Sequence, residues 1–269
     1  MTDLAGTLAL LEEVGPRYSA CAGPPEPRRA RFFTPLSALV DEPGVLERLL
    51  EGAGARWSTP DVRVQIAFVA GPLLGRLLRV ACGCLMLGAP VPRMRAEDVL
   101  VRFGETGLAQ ELRLVGPPVA SAAGGVERLR DELLGTHIAS LIDHLRVVGG
   151  PGRPALWGAA ADALAGACLE LGRALGDEEV GRRAGAELVE RCRPPLRRPA
   201  RYLRLAGGGR TELAVALQSC CLAHGLPNGM RCASCPLRSE DDRRLRLGAR
   251  LARSRAPRPV LAGAAGGGS

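Results

Sequence analysis

Four of the chain's nine cysteines fall within one short stretch, as Cys220-Cys221, a ten-residue spacer and Cys232-x2-Cys235. A two-residue gap lets Cys232 and Cys235 turn back on one centre, as in other knuckles of that spacing. The spacer holds Leu226-Pro227-Asn228-Gly229, a turn sequence in which proline presets the second position and Asn or Gly accepts a left-handed backbone. Such a reversal brings the adjacent pair back to face the knuckle. The spacing therefore predicts that Cys220, Cys221, Cys232 and Cys235 bind metal through their thiolates.

Soft thiolates select zinc or iron–sulfur clusters. A structural zinc site usually presents two short hooks, whereas here one hook is replaced by adjacent cysteines. Adjacent side chains diverge, to opposite faces of a strand or by about 100° around a helix. Two divergent thiolates are easier to place on two iron atoms than on one tetrahedral ion, so the pattern favours [2Fe–2S]. The alternative is a structural zinc knuckle whose basic C-terminal region binds nucleic acid or a protein partner.

All 36 cationic side chains are arginine, so a Schiff-base lysine, a phosphate-loop lysine and a lysine general base are excluded. Aromatics are only 3%, too few for a base-stacking surface of the usual single-strand binding folds. Residues 181–258 carry 18 arginines against 6 acidic residues, and the rest of the chain 18 against 22. A basic end of this kind attracts an anionic partner. The start lacks a basic region ahead of an apolar run, and the uncharged stretch Val80–Pro92 is too short to cross a bilayer. The expectation is a cytoplasmic protein, where thiols stay reduced and a cysteine cluster means metal or redox chemistry.

The fold class expected is α+β, predominantly helical, with a small antiparallel sheet and a C-terminal cysteine-rich cluster-binding loop. Residues 1–56 read as an N-terminal segment, 57–210 as the body, 211–245 as the cluster-binding motif and 253–269 as a disordered tail. Ser58-Thr59-Pro60-Asp61 opens a long apolar helix running toward Leu87, with a bend expected near Gly71-Pro72. Two β-rich runs, Asp98–Phe103 and Leu108–Val115, flank a glycine turn and predict a hairpin. Helical periodicity follows over 126–148, 154–175 and 177–191, then comes a strand at 201–205 and a separator at Gly207-Gly208-Gly209.

The cysteine pattern, followed by Pro236-Leu237, resembles the C-terminal motif of FhuF-like ferric siderophore reductases. Weaker likenesses lie upstream at Asp61-Val-Arg-Val64, Gly88-Ala-Pro-Val-Pro92, the hairpin and Ala155-Leu-Trp-Gly158. The resemblance implies a [2Fe–2S] cluster on Cys220, Cys221, Cys232 and Cys235, and an enzyme that reduces ferric siderophore iron to Fe²⁺ by one-electron transfer. It implies a ferric siderophore as substrate and a ferredoxin or flavin-dependent reductase as donor. Peripheral contact with the inner membrane or a siderophore transporter is a further expectation, and no nucleic acid is expected. Cluster-containing transcription sensors of the WhiB-like kind place their cysteines differently and would leave most of this chain unexplained.

Arg231 and Arg238, beside the knuckle, are candidates for tuning the cluster or touching a partner. His224 is expected to shape the loop or hydrogen-bond near the cluster rather than to replace a thiolate. His137 and His144 read as helix-surface histidines. Cys82, Cys84, Cys168 and Cys192 read as small buried hydrophobes, and Trp57 and Trp157 as packing anchors.

Overall fold

The computed structural model describes residues 3–42, 44–254 and 259–261. Its axis is α3 (Val62–Met86), whose N-terminus is capped by Asp61 accepting from the Arg63 backbone N–H. Pro72 lies inside this helix without ending it. α3 has the length and hydropathy to span a membrane, but 67% of its most apolar window is buried within the protein. Its apolar residues pack against α1 (Leu4–Val14), α2 (Val45–Trp57) and α5 (Arg153–Leu175). α5 in turn lies on α6 (Glu178–Arg191). That crossing is close because Gly172 and Gly181 face each other, and a Cβ on Gly181 would run into the Cys168 carbonyl.

The expected hairpin is present as β3 (Val99–Phe103) and β4 (Ala109–Leu114), antiparallel with an irregularity at Arg102/Phe103. It sits in a mixed four-stranded sheet rather than a purely antiparallel one. β1 (Ala20–Ala22) pairs parallel with β4, and β2 (Thr34–Pro35) pairs antiparallel with β3. The N-terminal segment is thus part of the body, supplying two strands and the core residues Leu8, Leu11, Leu36 and Leu46.

β5 (Tyr202–Gly207) does not run out into a separator. It turns at Gly208-Gly209, both at positive φ, and pairs antiparallel with β6 (Arg210–Val215). Consecutive left-handed residues are what a two-residue hairpin turn requires, and glycine takes them without steric cost. α7 (Glu240–Arg253) lies on this hairpin, and Leu203, Leu205, Ala216 and Leu251 form a second small core. Of the expected tail, Arg253 closes α7 and Leu261 is buried with its N–H on the Ala174 carbonyl; 255–258 and 262–269 lie outside the described residues.

Cys82, Cys84, Cys168 and Cys192 are core residues, as expected, whereas Cys21 on β1 is only partly buried. Burial pushes the Cys84 and Cys192 thiols up to about 12, and the adjacent Cys168 thiol together with burial holds Cys82 well above its usual range. Trp57 stacks on Phe68 at 4.7 Å and Trp157 is buried. His137 corrects the surface reading. The chain winds as a π-helix over Arg128–Ile138, which runs on into α4 (Ala139–Val147), and His137 is only 6% exposed, with Nδ1 2.9 Å from the Met94 carbonyl oxygen.

Burial holds the His137 imidazole below its ordinary value. The folded protein therefore binds this proton less readily than the unfolded chain. The stability involved is complete above about pH 6.5 and falls as pH drops below it, by at most about 1.4 kcal/mol per pH unit. A His137→Asn variant, which cannot titrate, should show a flatter pH dependence between pH 7.5 and 5, read as urea midpoints. Identical slopes for the two proteins would refute this assignment.

Candidate iron–sulfur site

The four motif cysteines lie on the irregular stretch between β6 and α7, which has little apolar side chain of its own to bury. It is fixed instead by polar contacts to α5. Asp162, only 7% exposed in an otherwise alanine-rich helix, accepts at Oδ2 from the Gln218 N–H (2.8 Å), the Ser219 N–H (3.0 Å) and the Ser219 hydroxyl (3.0 Å). Burial raises its carboxyl above the ordinary range, and those three donors work in the opposite direction. Its Oδ1 is buried without a partner. Further along α5 and into α6, the Arg173 guanidinium donates to the Leu213 carbonyl, and Glu178 accepts from the Leu213 N–H at 2.9 Å. Both contacts fasten β6, the strand that leads into the site.

From Ser219 the chain passes through Cys220-Cys221 and then turns sharply. Leu222 adopts a left-handed backbone (φ 60°), one of two non-glycine residues that do so among those described. Its N–H points back to the Cys220 sulfur at 3.4 Å. A single turn of 3₁₀ helix, Ala223–Gly225, follows. The Leu226–Gly229 turn expected from sequence forms, with the Gly229 N–H on the Leu226 carbonyl at 2.8 Å. The knuckle is two successive turns, in which the Cys235 N–H donates to the Cys232 carbonyl and the Arg238 N–H to the Cys235 carbonyl, each at 3.1 Å.

These turns bring Cys220 near Cys235 and Cys221 near Cys232, while Cys220 also interacts with its neighbour Cys221. Partial burial pushes Cys220 and Cys221 above the usual thiol range, and each facing thiol pushes further in that direction. Among the described residues, no three His, Cys, Asp or Glu side chains converge closely enough to hold one metal ion. Two pairs of thiolates fit a two-iron cluster, in which each iron takes two protein sulfurs, better than they fit a single tetrahedral ion. The positive charge of iron would also supply what the raised thiols need in order to ionise.

His224 stands with Nδ1 3.6 Å from the Cys220 sulfur, beside the cluster ligands as expected. Arg238 is a clip. Its guanidinium donates to the Cys232 carbonyl at 2.9 Å and pairs with Asp242 of α7 at 2.6 Å. Arg231 donates to the Leu237 carbonyl at 3.2 Å. Asp162 was not singled out in the sequence, although a lone carboxylate in Ala159-Ala-Ala-Asp162-Ala-Leu-Ala165 is the signal that could have found it.

Four cysteines gathered on one turn-rich loop are the donor set of a thiolate metal site. Residues 218–237 match the FhuF 2Fe-2S C-terminal domain family. This end of the chain is thus similar to an FhuF-type cluster domain, and its cofactor is a [2Fe–2S] cluster. The match covers the cysteine segment alone. No curated protein is significantly similar to the chain.

Asp162 acts on the cluster only through the loop. Asp162→Ala removes the acceptor of three donors and should weaken iron retention by about 10–100-fold, the usual effect of deleting a group that orients metal ligands. Asp162→Asn keeps one acceptor oxygen and should fall between. Iron and sulfide per protein, followed during chelator challenge, read the effect; equal retention in all three proteins would show that the loop does not depend on this anchor.

Proposed function

We propose that the protein is a cytoplasmic one-electron reductase of ferric siderophores. The observation that carries this reading is an FhuF-type four-cysteine site opening onto a cavity between α3 and α5 large enough for a small-molecule ligand. A siderophore holds Fe³⁺ through hard oxygen donors, and the softer Fe²⁺ is held far less well by the same ligands. Adding one electron thus releases the metal, with no nucleophile or general base required. A [2Fe–2S] cluster, when bound, supplies that one-electron capacity.

The chain's own residues divide the remaining tasks. Cys220, Cys221, Cys232 and Cys235 hold the cluster. Asp162 and Arg238 hold the two arms of the loop at fixed positions on α5 and α7. The Leu222 N–H on the Cys220 sulfur and the adjacent His224 stabilise negative charge on that ligand, which favours the reduced state. The electron enters from a donor protein, a ferredoxin or a flavin-dependent reductase. The arginine-rich end, with Met230 (82% exposed) and Leu237 beside Arg231, suits an acidic partner of that class.

Anaerobically purified protein should show visible charge-transfer bands bleached by dithionite, with iron and sulfide in equal amounts. The reduced protein should then be reoxidised by a ferric siderophore, with Fe²⁺ trapped by a ferrous chelator. Cys221→Ser or Cys232→Ser should remove or greatly alter the bands. A loaded, dithionite-reducible protein that no ferric siderophore reoxidises would overturn the reductase reading.

A further inference from the structure

The large cavity of about 710 Å³ beside the cysteine loop falls in the size range of small-molecule ligand sites. Its floor is made by α3 and α5, where Phe68, Pro72, Leu156, Ala159, Ala163 and Gly166 present a shallow apolar surface. Small residues predominate, so the trough is wide without the helices having to separate. Of the four cluster ligands, Cys220 and Cys221 border it, while Cys232 and Cys235 do not.

The walls are charged unequally. Four arginines, Arg17, Arg76, Arg79 and Arg173, line the cavity against the carboxylates Asp162 and Glu170. Glu170 is already paired with Arg79 at 3.1 Å and Arg17 at 3.6 Å, Arg173 is paired with Glu178 at 3.1 Å, and Asp162 is committed to the cysteine loop. Arg76 differs. Its guanidinium donates only to backbone carbonyls, those of Ala109 (3.1 Å), Pro16 (2.9 Å) and Ser19 (3.3 Å), and it makes no ion pair among the described residues. It is a half-buried cation held by three neutral acceptors, and the carboxylate that acts on it, Glu111, is already shared among Arg29, Arg102 and Arg113, so positive charge is in excess at the cavity wall.

We infer that this cavity is the substrate seat, that it takes a ferric chelate carrying net negative charge, and that the electron leaves through the Cys220–Cys221 side of the site. The inference rests on the reductase reading and narrows it to a substrate class. The apolar trough accommodates the organic body of a multidentate oxygen ligand, and Arg76 supplies the attraction for a carboxylate or other anionic arm. Fe³⁺ of the chelate gains one electron and becomes Fe²⁺, and the reduced cluster loses that electron. The donor protein, or dithionite in the assay, replaces it. The knuckle side, with Cys232 and Arg231, is left for that donor.

The test measures seating separately from chemistry. Gallium(III) chelates have the charge of the ferric complexes but take no electron from the protein, so their binding to the loaded protein can be measured by calorimetry alongside reduction of the iron forms. Two ligands are compared, an anionic carboxylate-bearing chelate and an uncharged hydroxamate chelate. Arg76→Gln should weaken binding of the anionic gallium chelate and raise its ferric KM by about tenfold, with kcat and the neutral chelate little changed. Because Arg76 also ties α3 to neighbouring loops, a second variant guards against misfolding. A Cβ at Gly166 meets no atom within 4 Å, so a side chain can start there, and Gly166→Phe should project into the trough and abolish binding of both chelates. The visible spectrum and midpoint potential of both variants should stay those of the wild type. If both variants bind and reduce like the wild type, the seat is elsewhere and the reductase reading stands. If gallium chelates bind in the cavity and the ferric ones are not reduced, the seat stands and the reductase reading falls. If the wild type binds neither gallium chelate, the seat is overturned.

Discussion

The cysteine site depends on one buried carboxylate. A loop between a strand and a helix that carries two adjacent thiols and a knuckle cannot fold by burying its own side chains; its backbone donors need acceptors, and the thiols need fixed directions. Asp162 satisfies the backbone of Gln218 and Ser219 and the Ser219 hydroxyl with a single oxygen atom. It does so from α5, the helix that packs on α3 and α6 and is held in the main core. The direction of Cys220 is thereby referred to a helix of the main core. An ionised group in that position is worth having only because its hydrogen bonds offset much of the desolvation it suffers.

Adjacent cysteines present a geometric problem that the loop solves with an unusual residue. Diverging neighbours cannot both point at one small target, and here each faces a different member of the knuckle, Cys220 toward Cys235 and Cys221 toward Cys232. The chain then has to reverse within one residue to reach the spacer. Leu222 does this in a left-handed conformation, which costs a non-glycine residue on the order of 1 kcal/mol. In return its N–H is delivered to the Cys220 sulfur. The same backbone torsion therefore reverses the chain and places a donor on a ligand.

Much of this was legible in the residues. The helix start within Ser58–Asp61 (with Asp61 rather than Ser58 as the cap), the hairpin of β3 and β4 and the turn at Leu226–Gly229 all follow from local rules, and local rules act within a few residues. The failures share the opposite property. β1 and β2 span three and two residues, too short for any periodicity, and each finds its partner strand far along the chain. β6 was missed because three consecutive glycines resemble a linker, whereas two of them close a hairpin whose second strand is fastened by Glu178. Asp162 and His137 look like surface residues until tertiary packing buries them.

A one-electron site must admit its substrate and its donor without letting them compete, and the asymmetry of the loop bears on that. Cys220 and Cys221 border the cavity, whereas the knuckle touches it only through Ser234 and keeps Cys232 and Cys235 out of its lining. The two sides also differ in how their arginines are used. Toward the knuckle, Arg231 and Arg238 donate to loop carbonyls, and α7 carries the exposed Arg246 and Arg250, of which Arg246 pairs with Asp242, a surface whose net charge acts on a large acidic partner through long-range attraction. In the cavity the cations are mostly neutralised by partners at contact distance, leaving Arg76 as a local excess. Diffuse charge discriminates poorly between ligands of one sign, whereas a single fixed guanidinium in a trough sets orientation as well as sign. On the proposed reading, the same residue type, used in every cationic position of this chain, would serve two recognitions because burial and pairing differ between the two faces.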